Sequence, residues 1–182
     1  MDFRIGDKVV YPNHGIGVVE SIESRSMPEG RLSGYGLRIL ANDSRVFVPQ
    51  QSADGIGLRP MVSSGDARKI LSALGDAKID QNPNWKGRFK QNSDRMRTGS
   101  LFDVASVLKG LTSVARTKVL SFREKRMLER ARYLIVTELA EVEGKSRTSV
   151  EERVDKALDR ALAAEPRPTV QRPVVVRRPS HA

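Results

Sequence analysis

The stretch Lys8-Val9-Val10-Tyr11-Pro12-Asn13-His14-Gly15-Ile16-Gly17-Val18-Val19-Glu20-Ser21-Ile22-Glu23 sets the class of the fold. Valine and isoleucine alternate with polar residues on both sides of a Pro-Asn-His-Gly turn, a pattern that predicts strands over 8–11 and 16–23. His14 reads as a polar turn residue rather than a catalytic base. Further along, the same pattern returns over 35–40, 45–48 and 56–59. Turn chemistry separates these runs at Met27-Pro28-Glu29-Gly30 and Asn42-Asp43, and Gly55 and Gly57 suggest bends or a bulge. Five short strands in 60 residues predict a closed or nearly closed small β-barrel, because closure removes edges that a lone sheet leaves open. Its expected core is Val9, Tyr11, Val18, Ile22, Leu37, Ile39, Val46 and Val48, with one or two of these turned outward.

After Pro60 the period becomes helical. A helix is expected over 66–74, ended by Gly75, then a linker over 76–83. Asn84 caps a helix from Trp85 to about Arg97, with Gly99 just past its end. Ser100 caps the next, in which Leu101, Val104, Ala105, Leu108 and Leu111 line one face. Ser121-Phe122-Arg123-Glu124 is a capping box and opens a helix carrying Leu128, Ala131, Ile135, Leu139 and Val142, stopped by Gly144. A last helix over 149–164 spaces Val150, Val154, Leu158 and Leu162 four apart. The expected fold class is therefore segregated α+β: a small N-terminal barrel over 1–60 and an all-helical domain over 61–165. Residues 166–182 hold four prolines, four arginines and no acid, and read as a disordered tail.

The 182 residues carry 32 Lys and Arg against 22 Asp and Glu, a net charge of +10, which points to a polyanionic partner, nucleic acid first and an anionic membrane second. The charge is uneven. Residues 1–60 hold seven of each sign, 61–165 net +6 and 166–182 net +4; within the middle part, 86–132 nets +9 and 138–165 nets −3. No cysteine is present and only His14 and His181 supply imidazoles, so disulfides, thiolate zinc sites and iron–sulfur clusters are excluded. Neither a phosphate loop, a Gly-x-Gly-x-x-Gly turn nor a Ser-His-acid set occurs, and the chain reads as a non-enzyme with no cofactor or metal. No apolar run approaches the roughly 20 residues a membrane span needs, and none follows Met1, so a cytoplasmic protein is expected.

Trp85, the only tryptophan, admits two readings. A large aromatic ordinarily fills a core. Its neighbourhood argues otherwise: at the first turn of a helix, beside Arg88 and next to a face carrying Lys86, Lys90 and Arg97, it suits a flat ring set against bases while cations hold phosphates. Phe89 and Met96 supply the inward stripe.

Several ordered motifs together resemble the CarD/CdnL family of bacterial transcription regulators. They are Phe3-Arg4-Ile5-Gly6-Asp7-Lys8-Val9-Val10-Tyr11-Pro12-Asn13-His14-Gly15-Ile16-Gly17, Arg45-Val46-Phe47-Val48-Pro49, Ile56-Gly57-Leu58-Arg59, Asn84-Trp85-Lys86-Gly87-Arg88-Phe89-Lys90, and Leu120-Ser121-Phe122-Arg123-Glu124-Lys125-Arg126-Met127-Leu128. The first motif alone is also similar to the polymerase-binding module of transcription-repair coupling factors. The resemblance covers about residues 1–165; Gly87 and the tail depart from it. It implies a Tudor-like barrel that docks on the RNA polymerase β subunit through Arg25, Val46, Phe47 and Pro49. It also implies a helical domain whose Trp85 wedges into the minor groove at the upstream edge of the minus-ten element, flanked by Lys86, Arg88 and Lys90. The implied role is stabilising the open promoter complex without strong sequence specificity, by a monomer in the cytoplasm or nucleoid with no membrane partner. A nonspecific nucleoid-associated or RNA-binding protein is the alternative; the neutral barrel argues against it.

Overall fold

The structure, a computed structural model, describes residues 2–27, 30–79 and 84–164. Strand β1 (Lys8–Tyr11) turns at Pro12-Asn13-His14 into β2 (Gly15–Met27), with Val9 opposite Gly17 and Tyr11 opposite Gly15. The turn is closed by the His14 amide donating to the Tyr11 carbonyl at 2.9 Å, and the His14 ring stacks on Tyr11 with centroids 4.7 Å apart. Strand β3 (Gly30–Ile39) runs back along β2 as far as the pair Met27–Gly30, and β4 (Arg45–Pro49) follows it. The expected hairpin tip at 27–30 lies partly outside the described residues.

The expected closed barrel is corrected by the strand order. All five strands are antiparallel in one open sheet, β4-β3-β2-β1-β5, with β4 and β5 at its edges. Helix α1 (Gln50–Ile56) starts directly after β4 and sends the chain over the sheet, burying Ala53 in the apolar cluster. That turn uses up residues read from sequence as part of a strand over 56–59, so β5 is reduced to Arg59–Pro60, paired with Val10 and Val9.

A register shift between Val19 and Ser21 changes which side chains face inward. Val18 lies opposite Arg38, while Val19, opposite Leu37, is fully buried; Ile22 stays 47% exposed. The core is Phe3, Val9, Val19, Tyr35, Leu37, Val48, Ala53 and Leu58, with Tyr11, Val46 and Ile56 packed against it. Phe3 meets Tyr35 edge-on at 5.6 Å. Neither was expected there. Val18 and Ile22, which were, are not part of it: Val18 falls on the face opposite Val19 by strand alternation, and Ile22, although paired with Tyr35, stays half exposed.

The helical part follows its caps closely. Ser63 opens α2 (Ser64–Gly75), two residues before the expected start, and Asn84 opens α3 (Trp85–Arg97). Ser100 opens α4 (Leu101–Thr117), and the capping box opens α5 (Phe122–Glu143), which ends on Gly144 in the left-handed conformation. Helix α6 is Arg147–Ala164. The four stripe residues of α6 and the five of α4 are buried, joined by Ala67, Ile70 and Leu74 from α2 and Ala131, Ile135 and Leu139 from α5. Lys109 is buried as well; its Nζ donates to the Ala73 carbonyl at 2.8 Å, and burial pulls its pKa down.

The sheet core and the helical core share no residue. Between them lies a mixed junction, where Val10, Pro12 and Ile16 meet Met96, Leu101, Val104 and Leu134 beside a set of polar contacts. Arg130 donates to the Asn13 carbonyl, Lys8 pairs with Glu141, and the β1–β2 turn lies against α5. The proposed tail, 166–182, lies outside the described residues.

Candidate functional site

The outer face of β2, β3 and β4 is built by pairing. Ser21, Glu23 and Arg25 lie opposite Gly36, Gly34 and Leu32, and Phe47 and Pro49 of β4 lie opposite Gly36 and Gly34. Gly34 makes room for an aromatic ring: a Cβ there would come within 2.4 Å of Phe47. The ring crosses β3 over that gap and meets the Arg25 guanidinium, 4.0 Å from its centroid. This is within cation–π range. Arg25 also donates to Glu23 at 3.3 Å, and both side chains remain about half exposed.

Of the four residues expected on a docking face, Arg25, Phe47 and Pro49 come together. Val46 does not. It lies opposite Leu37 and packs on the sheet core, because side chains alternate along a strand. Beside the Arg25–Phe47 stack, Glu20 accepts from Arg38 at 2.5 Å and from Arg45 at 3.1 Å, which lowers its pKa, chiefly through Arg38. A groove of about 370 Å³ runs among these charged groups, and its rim combines both signs.

The second candidate surface is the start of α3. The Asn84 side chain accepts from the Lys86 amide at 3.1 Å and fixes the first turn. Trp85 is the first helical residue; its side chain lies outside what is described. Lys86 and Lys90, one turn apart, are exposed. Arg88 points the other way. It is only 8% exposed, and its Nε and Nη2 donate to Glu124 Oε1 at 3.0 and 2.7 Å. The other oxygen of Glu124 accepts from the Ser121 amide and hydroxyl at 3.1 and 2.9 Å. The capping box of α5 and the anchor of α3 are therefore one buried network. Burial alone would raise the Glu124 pKa, but the bonds from Arg88 and Ser121 outweigh it and hold the carboxyl below its ordinary 4.5. Arg88, expected beside Trp85 on a phosphate-facing surface, instead ties α3 to α5. Two residues past Lys86 is about 200° around a helix, which carries it to the protein side.

The α4–α5 turn contributes groups not assigned from sequence. Val119 is 91% exposed and Phe122 74%, among exposed Lys118, Arg123, Lys125 and Arg126. A cavity of about 540 Å³ joins this turn to the start of α3, lined by Asn84, Arg88, Val114, Lys118, Leu120 and Glu124. The available signal was a phenylalanine directly after a helix cap, off the stripe that Leu128 and Ala131 define. Among the described residues no helix is long and apolar enough to cross a membrane, and no cluster of His, Asp and Glu has the makings of a metal site.

Comparison with known proteins matches both halves. Residues 3–62 match the "CarD-like/TRCF RID domain", and residues 69–155 match "CarD, C-terminal domain". A Bacillus subtilis (strain 168) protein named "Putative transcription factor YdeB" is 30% identical over 142 residues, which cover 78% of this chain and 93% of that protein.

Proposed function

The chain belongs to the CarD family, and on that premise we propose that it is a transcription regulator that acts with RNA polymerase at promoter DNA. The outer sheet face bearing Arg25, Phe47 and Pro49 docks on the polymerase β subunit. The start of α3, with Trp85, Lys86 and Lys90, contacts DNA at the upstream edge of the minus-ten element and stabilises the open complex. The observation that carries this reading is the contrast between two exposed surfaces. The sheet face sets Arg25, Arg38 and Arg45 against Glu20, Glu23 and Asp43 and presents a stacked arginine, as a protein-docking surface would. The α3 start and α4–α5 turn combine cations with exposed apolar side chains, as a backbone-holding, base-wedging surface would.

Such a surface stabilises melted DNA only through a difference in affinity. A wedge that fits distorted DNA and not the closed duplex shifts the equilibrium toward the open form, whereas equal affinity for both shifts nothing. Cations on phosphates hold register without reading sequence. The reading is tested by placing a photo-crosslinking residue at Lys86 and illuminating complexes with and without polymerase. Crosslinks confined to the upstream edge of the minus-ten element, and dependent on polymerase, are expected. Crosslinks spread evenly along any duplex without polymerase would favour nonspecific nucleic-acid binding instead.

A further inference from the structure

At the centre of the junction, one carboxylate holds three segments together. Glu138 of α5 is only 2% exposed and lies beside Val10, Leu101, Val104 and Leu134. Its Oε1 accepts from Arg59 Nη1 at 2.7 Å and from the Val62 amide at 2.9 Å, and its Oε2 accepts from Arg59 Nη2 at 2.9 Å. Arg59 belongs to β5, the last strand of the sheet, and Val62 to the short linker into α2. The same guanidinium donates through Nε to the Gly99 carbonyl at 2.5 Å. Gly99 is the turn between α3 and α4. Its φ of 76° and the 3.1 Å from a would-be Cβ to the Gly57 carbonyl show how closely this turn approaches the end of α1. One fork thus spans sheet, linker, α3–α4 turn and α5.

Resting on the function proposed above, we infer that Arg59 and Glu138 are positioning residues that lock the sheet and helical units in one relative orientation, so that polymerase docking and DNA contact occur together. Each unit has its own apolar core, so the pair is not what makes either unit fold. What it fixes is direction. Arg59 grips α3 at its Gly99 end, and Trp85 stands at the other end of that helix, about 18 Å away at 1.5 Å per residue. A small rotation at the junction therefore becomes a displacement of the DNA-facing tip. Docking raises the local concentration of that tip at the promoter only if the connection aims it there. The other polar contacts are weaker candidates: Lys8–Glu141 is exposed, and Arg130 reaches a backbone carbonyl from one side.

The chain has no cysteine, so spin labels on Ser52→Cys and Glu152→Cys report the distance between the units in the full-length protein. The parent is expected to give one narrow distance distribution. Glu138→Gln and Arg59→Lys should broaden it, because neither variant retains the charged fork. Both should bind a polymerase β fragment and linear duplex within about twofold of the parent, yet shorten open-complex lifetime about tenfold. A double variant, Arg59→Leu with Glu138→Leu, leaves no unpaired buried charge and should reproduce the same separation of effects if a single variant fails to fold. A distribution as narrow as the parent's in these variants, or an unchanged open-complex lifetime, overturns the positioning role. Should the parent itself not prolong open complexes, the functional reading fails, and the positioning role with it.

Discussion

Arg25 on the sheet and Arg88 on α3 both lie in the regions that match the family, and the fold uses them in opposite ways. Arg25 is half exposed, stacked on Phe47 over the gap at Gly34, and donates to the half-exposed Glu23 at 3.3 Å. Arg88 is buried, pairs with Glu124 and joins a helix cap to its neighbour. The difference teaches that a basic residue in a binding motif is not thereby a contact. One lies exposed on the proposed docking face, and the other holds in place the helix proposed to meet DNA.

The largest expected effect tests this contrast on stability. Arg88→Ala leaves Glu124 charged and buried without its partner and should cost about 3–5 kcal/mol of helical-domain stability. Arg25→Ala should cost about 0–1 kcal/mol, because an exposed pair contributes little. Urea denaturation followed by helical signal measures both. Equal losses would erase the distinction between the two arginines.

Next comes docking. Arg25→Glu removes a favourable charge and adds a repulsive one, so capture of the β subunit should weaken by about tenfold or more with the melting temperature unchanged. Normal capture would remove Arg25 from the docking face. The Glu124 network makes a smaller, pH-dependent difference. Its folded pKa lies below the ordinary 4.5, so its stabilisation is complete above that value and is lost as pH falls through the lower folded one. Melting temperature measured from about pH 6 to about pH 3 should fall less steeply in Glu124→Gln than in the parent, although the variant starts lower. Parallel curves would show that the network does not titrate in that window. The smallest effect on folding is expected at Phe122. Its ring is 74% exposed, so Phe122→Ser should leave the melting temperature within about 2 °C of the parent while weakening promoter-complex binding, and a large drop in melting would return the ring to the core.

The helical half was legible because its signals are local. Asn84, Ser100, Ser121 and Gly144 each act on backbone groups within a turn of themselves, and each stands where its chemistry implied. The sheet half was less so, because its missing information is nonlocal. Helix α1 has seven residues and buries only Ala53, leaving no stripe to read. The bulge after Val19 exchanges inward and outward residues without any mark in the alternation. At the candidate site, Lys86 and Lys90 are exposed, as a solvent-facing basic face requires, whereas the burial of Arg88 depends on where α5 begins in space. Glu138 did leave a trace: an acid between Ile135 and Leu139, three past one buried residue and one before another, on a helix whose packed face should be apolar.

The central claim is that the α3 tip stabilises open promoter DNA while the sheet face holds polymerase, and Trp85→Ala tests it most directly. If the ring contacts distorted DNA, its loss should cost about 1–3 kcal/mol of that contact. A loss of 2 kcal/mol would shorten open-complex lifetime about thirtyfold at full occupancy. Measured beside the parent at saturating protein, the variant is expected to capture polymerase and melt like the parent while failing to prolong open complexes. A variant that melts well below the parent and loses helical signal, or one that prolongs open complexes as the parent does, would contradict the account.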